Sequence, residues 1–243
     1  MQTPNAYESA CMHEVLGETL RPGGFSLTDT AVSLCKLCPE SDVLDIGCGR
    51  GATVNYLYEK YRISAAGIDP SEKLIAEAKS RGGSGSFFTG RGESLPFESG
   101  SFDCVFTECT LSLMDADLAI DEAYRMLRPR GRFVISDVYA KNPEAAAQLR
   151  DFSVNSCMRG MHDLERLKSR LEGVGFTLSY FEECSQLLKE LVVKIGFSYG
   201  SMCNFWNAAS DLCINGTDFE QALKKCKPGY FMLIAQKGGT SDE

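Results

Sequence analysis

The chain has 243 residues, of which 44% are hydrophobic, and a formal net charge of −8. It is long enough to bury a full α/β core as one domain with inserts, and its acidic balance argues against a nucleic-acid-binding face, which needs clustered Lys and Arg. No apolar run reaches membrane-spanning length and the N-terminus lacks a basic-then-apolar leader pattern, so a cytoplasmic protein without a membrane segment is expected.

In chain order, residues 6–20 have the pattern of an amphipathic helix that Arg21-Pro22-Gly23-Gly24 breaks, and Thr28 or Asp29 then caps a helix running to Cys38. Residues 1–40 are expected to form an N-terminal helical flap. The eleven cysteines read as free thiols in a reducing compartment. Cys35 and Cys38 form a Cys-x-x-Cys, but zinc wants two further ligands at matching spacing and no second pair accompanies them, so no metal is expected.

From Asp42 the alternation becomes regular: strand 42–46, helix 51–61, strand 63–68, helix 71–81, short strand 86–89, strand 102–107, helix 116–127, strand 131–138. Apolar runs alternating with periodic helices imply an α/β fold with a doubly wound, mostly parallel sheet, its core spanning 41–183. Arg125, Arg128, Arg130 and Arg132 fall at a helix end and strand entry and read as a solvated face. Helices over 142–149 and 162–172 follow, with Gly173 and Gly175 ending the second before a strand from Phe176 to Phe181. Leu187-Leu188-Leu191-Val192-Ile195 and Phe205-Trp206-Ala209-Leu212 then show helical periodicity, predicting a helical cap inserted at 184–228 before a last strand at 229–237. A substrate lid and a packing layer for a homodimer compete as roles for this insert.

The informative motif is Val-Leu-Asp-Ile-Gly-Cys-Gly-Arg-Gly-Ala at 43–52, with Asp69 closing the next apolar run. Glycines at a strand-to-helix corner let backbone approach a ligand, and an acid at the end of the second strand can accept both hydroxyls of an adenosine ribose. With Gly-Glu-Ser-Leu-Pro-Phe (92–97), Ser-Phe-Asp-Cys-Val-Phe (101–106) and Met-Leu-Arg-Pro-Arg-Gly-Arg-Phe-Val-Ile-Ser-Asp (126–137), the motif resembles the class I S-adenosylmethionine-dependent methyltransferases, the UbiE/Coq5-like branch most closely. The resemblance covers 43–139 and implies a seven-stranded Rossmann-like fold, S-adenosylmethionine as cofactor and a small-molecule methyl acceptor. Asp45 sharpens it: a carboxylate there repels a dinucleotide's pyrophosphate but attracts the ammonium and sulfonium groups of S-adenosylmethionine.

The resemblance places Asp45, Gly47, Cys48 and Gly49 around the methionine part, Asp69 on the ribose, and Pro70 with Ser71 against adenine. Related proteins carry an Asp-Ala pair after the third strand. Here the pair is Arg91-Gly92, and a guanidinium cannot accept from the adenine amino group; Gly92 keeps a backbone contact and Glu93 is the candidate replacement acid. After the fourth strand Glu108 is the candidate general base or cofactor contact, and Cys109 the candidate to steer a soft acceptor. His13 and His162 are alternative bases. Cys157, Arg159, Tyr199, Cys203, Phe205, Trp206 and Cys213 lie in segments expected over the acceptor. Three further readings compete with methyl transfer to a small molecule at large: a thiol or metalloid methyltransferase using Cys109, a non-catalytic S-adenosylmethionine-binding protein, and an NAD-type oxidoreductase.

Overall fold

A computed structural model describes residues 6–83, 85–210 and 213–239. Its centre is a seven-stranded sheet: β1 (Val43–Ile46), β2 (Ala65–Asp69), β3 (Ser86–Thr89), β4 (Phe102–Glu108), β5 (Leu127–Ala140), β6 (Phe176–Glu183) and β7 (Pro228–Lys237), in the order β3-β2-β1-β4-β5-β7-β6. β3 through β5 are parallel, and β7 runs antiparallel between β5 and β6. This is the doubly wound, mostly parallel sheet that the alternation predicts. The chain reverses its winding at β1, so the carboxyl ends of β1 and β4 flank the crevice where open α/β sheets bind ligands.

The helices are α1 (Ala10–Leu16), α2 (Ser26–Cys35), α3 (Ala52–Tyr61), α4 (Glu72–Ser80), α5 (Ala116–Met126), α6 (Leu164–Val174), α7 (Ser185–Tyr199), α8 (Met202–Ala209) and α9 (Gly216–Cys226). The central strands read as near-continuous apolar runs because both faces are covered. On one face Val43, Phe106, Val134 and Tyr230 pack with Ala31, Val54 and Leu57 of α2 and α3 and with Ile195, Phe205 and Phe219 of the α7–α9 layer. On the other, Leu44, Val105, Phe133 and Leu233 pack with Ile120, Ala123, Leu167 and Leu171 of α5 and α6. Each such aliphatic or aromatic side chain removed from water contributes about 1.5–3 kcal/mol.

Several boundaries differ from expectation. The N-terminal segment is a 3-10 turn (Ala6–Glu8) followed by the shorter α1, because Gly17 turns the chain with φ 70°. Phe25, not Thr28 or Asp29, precedes the first residue of α2, and Lys36 in the left-handed region ends it, so Cys38 lies beyond the helix. Residues 143–151 form a 3-10 helix, and α6 runs through Gly173 to a left-handed cap at Gly175. β5 begins at Leu127 because Leu127 already pairs with Phe102. The insert is three helices, with Leu212 of the predicted pattern outside the described residues. Among the described residues no group of His, Cys, Asp and Glu is placed to hold a metal ion, and no helix is long and apolar enough to cross a membrane. Within the arginine cluster, Arg125 pairs with Glu122 and Arg128 with Asp103 and Asp42, at 2.6–2.8 Å.

Candidate active site

Asp45 stands at the end of β1, 3% exposed, and no hydrogen bond reaches its carboxylate among the described residues. Burial pushes its pKa up to about 8; the negative charge of Glu108 adds to the rise, Arg21 opposes it, and Asp69 contributes least. The corner that follows requires glycine at 47. Its φ is 82°, and a Cβ there would lie 2.5 Å from the Cγ2 of Thr110. Thr110 closes over the corner by donating to the Ile46 carbonyl at 2.7 Å. The Gly47 and Cys48 amides both donate to the Ile68 carbonyl. Cys48 packs inward: a Cβ on Gly67 of β2 would meet its sulfur at 2.8 Å, and burial drives its thiol pKa well up.

Asp69 ends β2 and joins the two corners. Its Oδ2 accepts from the Gly49 amide at 3.0 Å and its Oδ1 from the Ser71 amide at 2.9 Å. Burial raises its pKa, and these two N–H groups oppose the rise. One lone pair on each oxygen is left, the capacity that two vicinal hydroxyls require. Ser71 Oγ donates to Glu8 at 2.9 Å and thereby fastens the 3-10 turn at 6–8 across this corner, where Pro70 is exposed.

After β3, Arg91 points away, its side chain 71% exposed and paired with Glu93 at 3.3 Å. Glu93 also accepts from the Asp115 amide at 3.1 Å, which commits it to the start of α5. Gly92 is held where a Cβ would meet Met114 and Ile46 within 2.7 Å. The corner therefore keeps its backbone, turns Arg91 outward and ties Glu93 Oε1 to Arg91 and the Asp115 amide.

The largest departure from the sequence reading is at Glu108. Its side chain is 3% exposed and forms a buried ion pair with Arg21 at 2.9 Å. Oε1 accepts from Thr28 and Oε2 from Thr53, each at 2.8 Å, and Arg21 itself donates to both threonines. Both oxygens are thus engaged, so the carboxylate is presented as the counter-ion of Arg21 and not as a free base. Nothing local to Arg21-Pro22-Gly23-Gly24 announces a partner 87 positions away, and Thr28 reads as a cap when it is an interior helix residue facing β4.

Cys109 has φ 62°, outside the region a β-strand occupies. Side chains alternate between faces along a strand, so Cys109 would otherwise leave the face of Phe106 and Glu108; the left-handed step returns it to the cluster that holds Phe106, Val138 and Cys157. There it lies 3.4 Å from the Cys157 sulfur, and the neighbouring thiol and burial raise its pKa well above the ordinary thiol value. Both line an apolar cavity of about 60 Å³ together with Tyr7, Met158, Phe205 and Trp206.

The other candidates fall elsewhere. His13 bonds the Tyr7 carbonyl, and His162 faces Asp137 on the opposite side of the sheet. Arg159 donates to the Arg150 carbonyl, Tyr199 to Glu14 at 3.0 Å, Cys203 contacts Thr217, and Cys213 is exposed.

A family model described as a methyltransferase domain matches residues 44–135. The chain is 29% identical over 169 residues to an uncharacterized methyltransferase, YodH, of Bacillus subtilis, covering 64% of this chain and 68% of that one. It is 29% identical over 236 residues to phosphoethanolamine N-methyltransferase 1 of Triticum aestivum, covering 88% of this chain but only 45% of the plant protein. Among solved structures, Haemonchus contortus phosphoethanolamine N-methyltransferase 2 in complex with phosphomonomethylethanolamine and S-adenosylhomocysteine superposes with TM-score 0.73 at 18% identity, over 94% of this chain and 57% of that one. The [4+2]-cyclase SpnF superposes with TM-score 0.70 at 20% identity over 98% of each; at these identities the structures speak for the fold alone. The motif, the buried acid and the domain match fall on one segment: residues 44–135 are similar to a methyltransferase domain, which supports S-adenosylmethionine as the cofactor.

Proposed function

We propose that the protein transfers a methyl group from S-adenosylmethionine to a neutral, apolar small molecule held between the ends of β4 and β5 and the α7–α8 layer. The observation that carries this is the cavity beside Cys109, whose lining contains no charged side chain. A phosphorylated amine would there meet no cation, and burying an unpaired phosphate is prohibitive. Relatives that are phosphoethanolamine N-methyltransferases therefore do not supply the acceptor by analogy.

On the donor side, Asp45 fits a cationic ligand because it is a buried acid without a partner. Gly47 and Gly49 leave the backbone open to a ligand's approach, Asp69 has acceptor capacity for two ribose hydroxyls, and Gly92 offers backbone after β3. The cofactor supplies an electrophilic methyl on a sulfonium, and the reaction is an in-line displacement. Arg21, Thr28 and Thr53 hold Glu108 as a fixed negative charge beside Asp45, a role in charge balance and not in proton transfer. The cavity lining offers no carboxylate, imidazole or amine, so catalysis rests on alignment by Tyr7, the methionines and the α7–α8 aromatics, and the acceptor's proton is given up to bulk water once the methyl has been transferred. The UbiE/Coq5-like branch remains the reading of the motifs.

The convergence of Cys109 with Cys157 supports a second reading, a soft thiol or metalloid acceptor. The contact with Cys157 and burial raise the pKa of the Cys109 thiol, which weakens it as a ligand or base. A panel with labelled S-adenosylmethionine decides: turnover on neutral phenols, enols or quinols but not on phosphoethanolamine supports the apolar acceptor. Turnover on phosphoethanolamine overturns it, and turnover on thiols or metalloids that Cys109→Ser abolishes, with cofactor affinity intact, replaces it.

A further inference from the structure

Trp206 is 3% exposed, and among the described residues its buried Nε1 has no hydrogen-bond partner. A buried N–H left unpaired is unfavourable, and buried tryptophans ordinarily find a partner. The ring's packing does not need the nitrogen. Its contacts with Phe205, centroids 5.1 Å apart, and with Phe219 at 4.9 Å would be equally available to phenylalanine.

Trp206 lines the same cavity as Cys109 and Cys157, and the other polar groups there are already engaged. Ser156 Oγ accepts from the Met158 amide, the Tyr7 hydroxyl accepts from the Cys157 amide at 2.9 Å, and the two thiols face each other. The remaining lining is apolar and includes Met12, Met158 and Met202, flexible side chains that re-pack around what enters. At about 60 Å³ the space exceeds that of a single water, near 10–15 Å³, but is smaller than a benzene-binding cavity of roughly 150 Å³.

Resting on the methyl-transfer reading above, we propose that the indole N–H of Trp206 is the polar anchor for the acceptor, which is therefore an uncharged apolar molecule carrying a hydrogen-bond-accepting oxygen. The N–H fixes the acceptor's orientation under the ends of β4 and β5, and Cys109, Val138 and the methionines contact its apolar part. A site with a buried unpaired donor discriminates against a hydrocarbon of the same shape, because that ligand leaves the donor unsatisfied.

Trp206 is the one tryptophan of the chain, so the full-length protein gives a single indole N–H resonance, which Trp206→Phe removes. Cyclopentanone and methylenecyclopentane are near-isosteric and differ in the oxygen. The expected result is that cyclopentanone moves the indole proton downfield on saturation and the alkene does not. Titrations followed on labelled methionine methyls should show Trp206→Phe weakening the ketone about tenfold, the net worth of one hydrogen bond, with the alkene unchanged. Failure of both probes to bind, an unmoved indole proton at ketone saturation, or equal loss of both probes in Trp206→Phe overturns the proposal. S-adenosylhomocysteine titrated into the same samples keeps the two readings apart: its binding with the ketone result negative refutes the anchor alone, and its failure to bind refutes the donor site instead.

Discussion

On the proposed donor site, Asp45 makes cofactor binding a proton exchange. Two buried carboxylates, Asp45 and Glu108, share one buried cation, Arg21, whose contacts go to Glu108 and its two threonines. With its pKa pushed up to about 8, Asp45 is about 90% protonated at pH 7 in the free protein, which leaves the cluster neutral. A cofactor with one net positive charge restores neutrality only if that proton leaves. Affinity should therefore rise about tenfold per pH unit from pH 6 to pH 8 and level off above, and calorimetry in buffers of different ionisation enthalpy should report roughly 0.9 proton released at pH 7. Asp45→Asn should abolish both the slope and the release, and cost at least about 2 kcal/mol of binding, roughly 30-fold.

The same group sets a sign for stability. A carboxyl whose folded pKa lies above its unfolded value stabilises the fold fully below the unfolded value of 3.8, and that contribution is lost as pH rises through about 8. The free protein should lose up to about 1.4 kcal/mol per pH unit in this window, and Asp45→Asn should flatten the trend in urea melts. A cofactor affinity constant within twofold from pH 6 to 8, with no dependence on buffer, would refute this account of the site.

Glu108→Gln or Arg21→Met should each cost about 3–5 kcal/mol in urea unfolding because one buried charge is stranded, whereas Arg21→Met with Glu108→Met together should recover most of it. Asp69→Asn should weaken S-adenosylhomocysteine about tenfold by calorimetry, through a lost acceptor and a slackened Gly49 amide. Cys109→Gly should be at least as stable as Cys109→Ala, the reverse of the usual order at a buried position, because glycine relieves about 1 kcal/mol of left-handed strain at φ 62°; alanine more stable than glycine there would show that the backbone at 109 carries no strain.

The donor half was legible because its signals are local. Gly47 and Gly49 follow Asp45 within four residues, and the alternating runs from Asp42 to Val138 imply a mostly parallel sheet. What escaped is non-local. Arg21 meets Glu108 only after the N-terminal segment folds across the sheet, so a residue that reads as part of a turn becomes the cation of the site, and the carboxylate it holds ceases to be a base. The directions of Arg91 and Glu93 are hidden for a related reason: adjacency to the β3 corner says nothing about direction, and Glu93 also accepts from the Asp115 amide. Among the thiols, Cys109 and Cys157 are brought together, 48 positions apart, while Cys203 and Cys213 remain outside the cavity.

The end of β4 explains how one strand serves two ligands. A regular strand turns residues 108 and 109 to opposite faces, so a charge for the donor site and a wall for the acceptor site could not be consecutive. The left-handed step at Cys109 puts both on one face: Glu108 is fixed toward Asp45 by Arg21, Thr28 and Thr53, and the next side chain lines the cavity that Trp206 closes. The Cys109 amide still reaches the Ser136 carbonyl at 2.6 Å, so the step is anchored to β5. The charged group and the apolar wall are thereby consecutive residues on one face, with the boundary drawn by a single backbone angle.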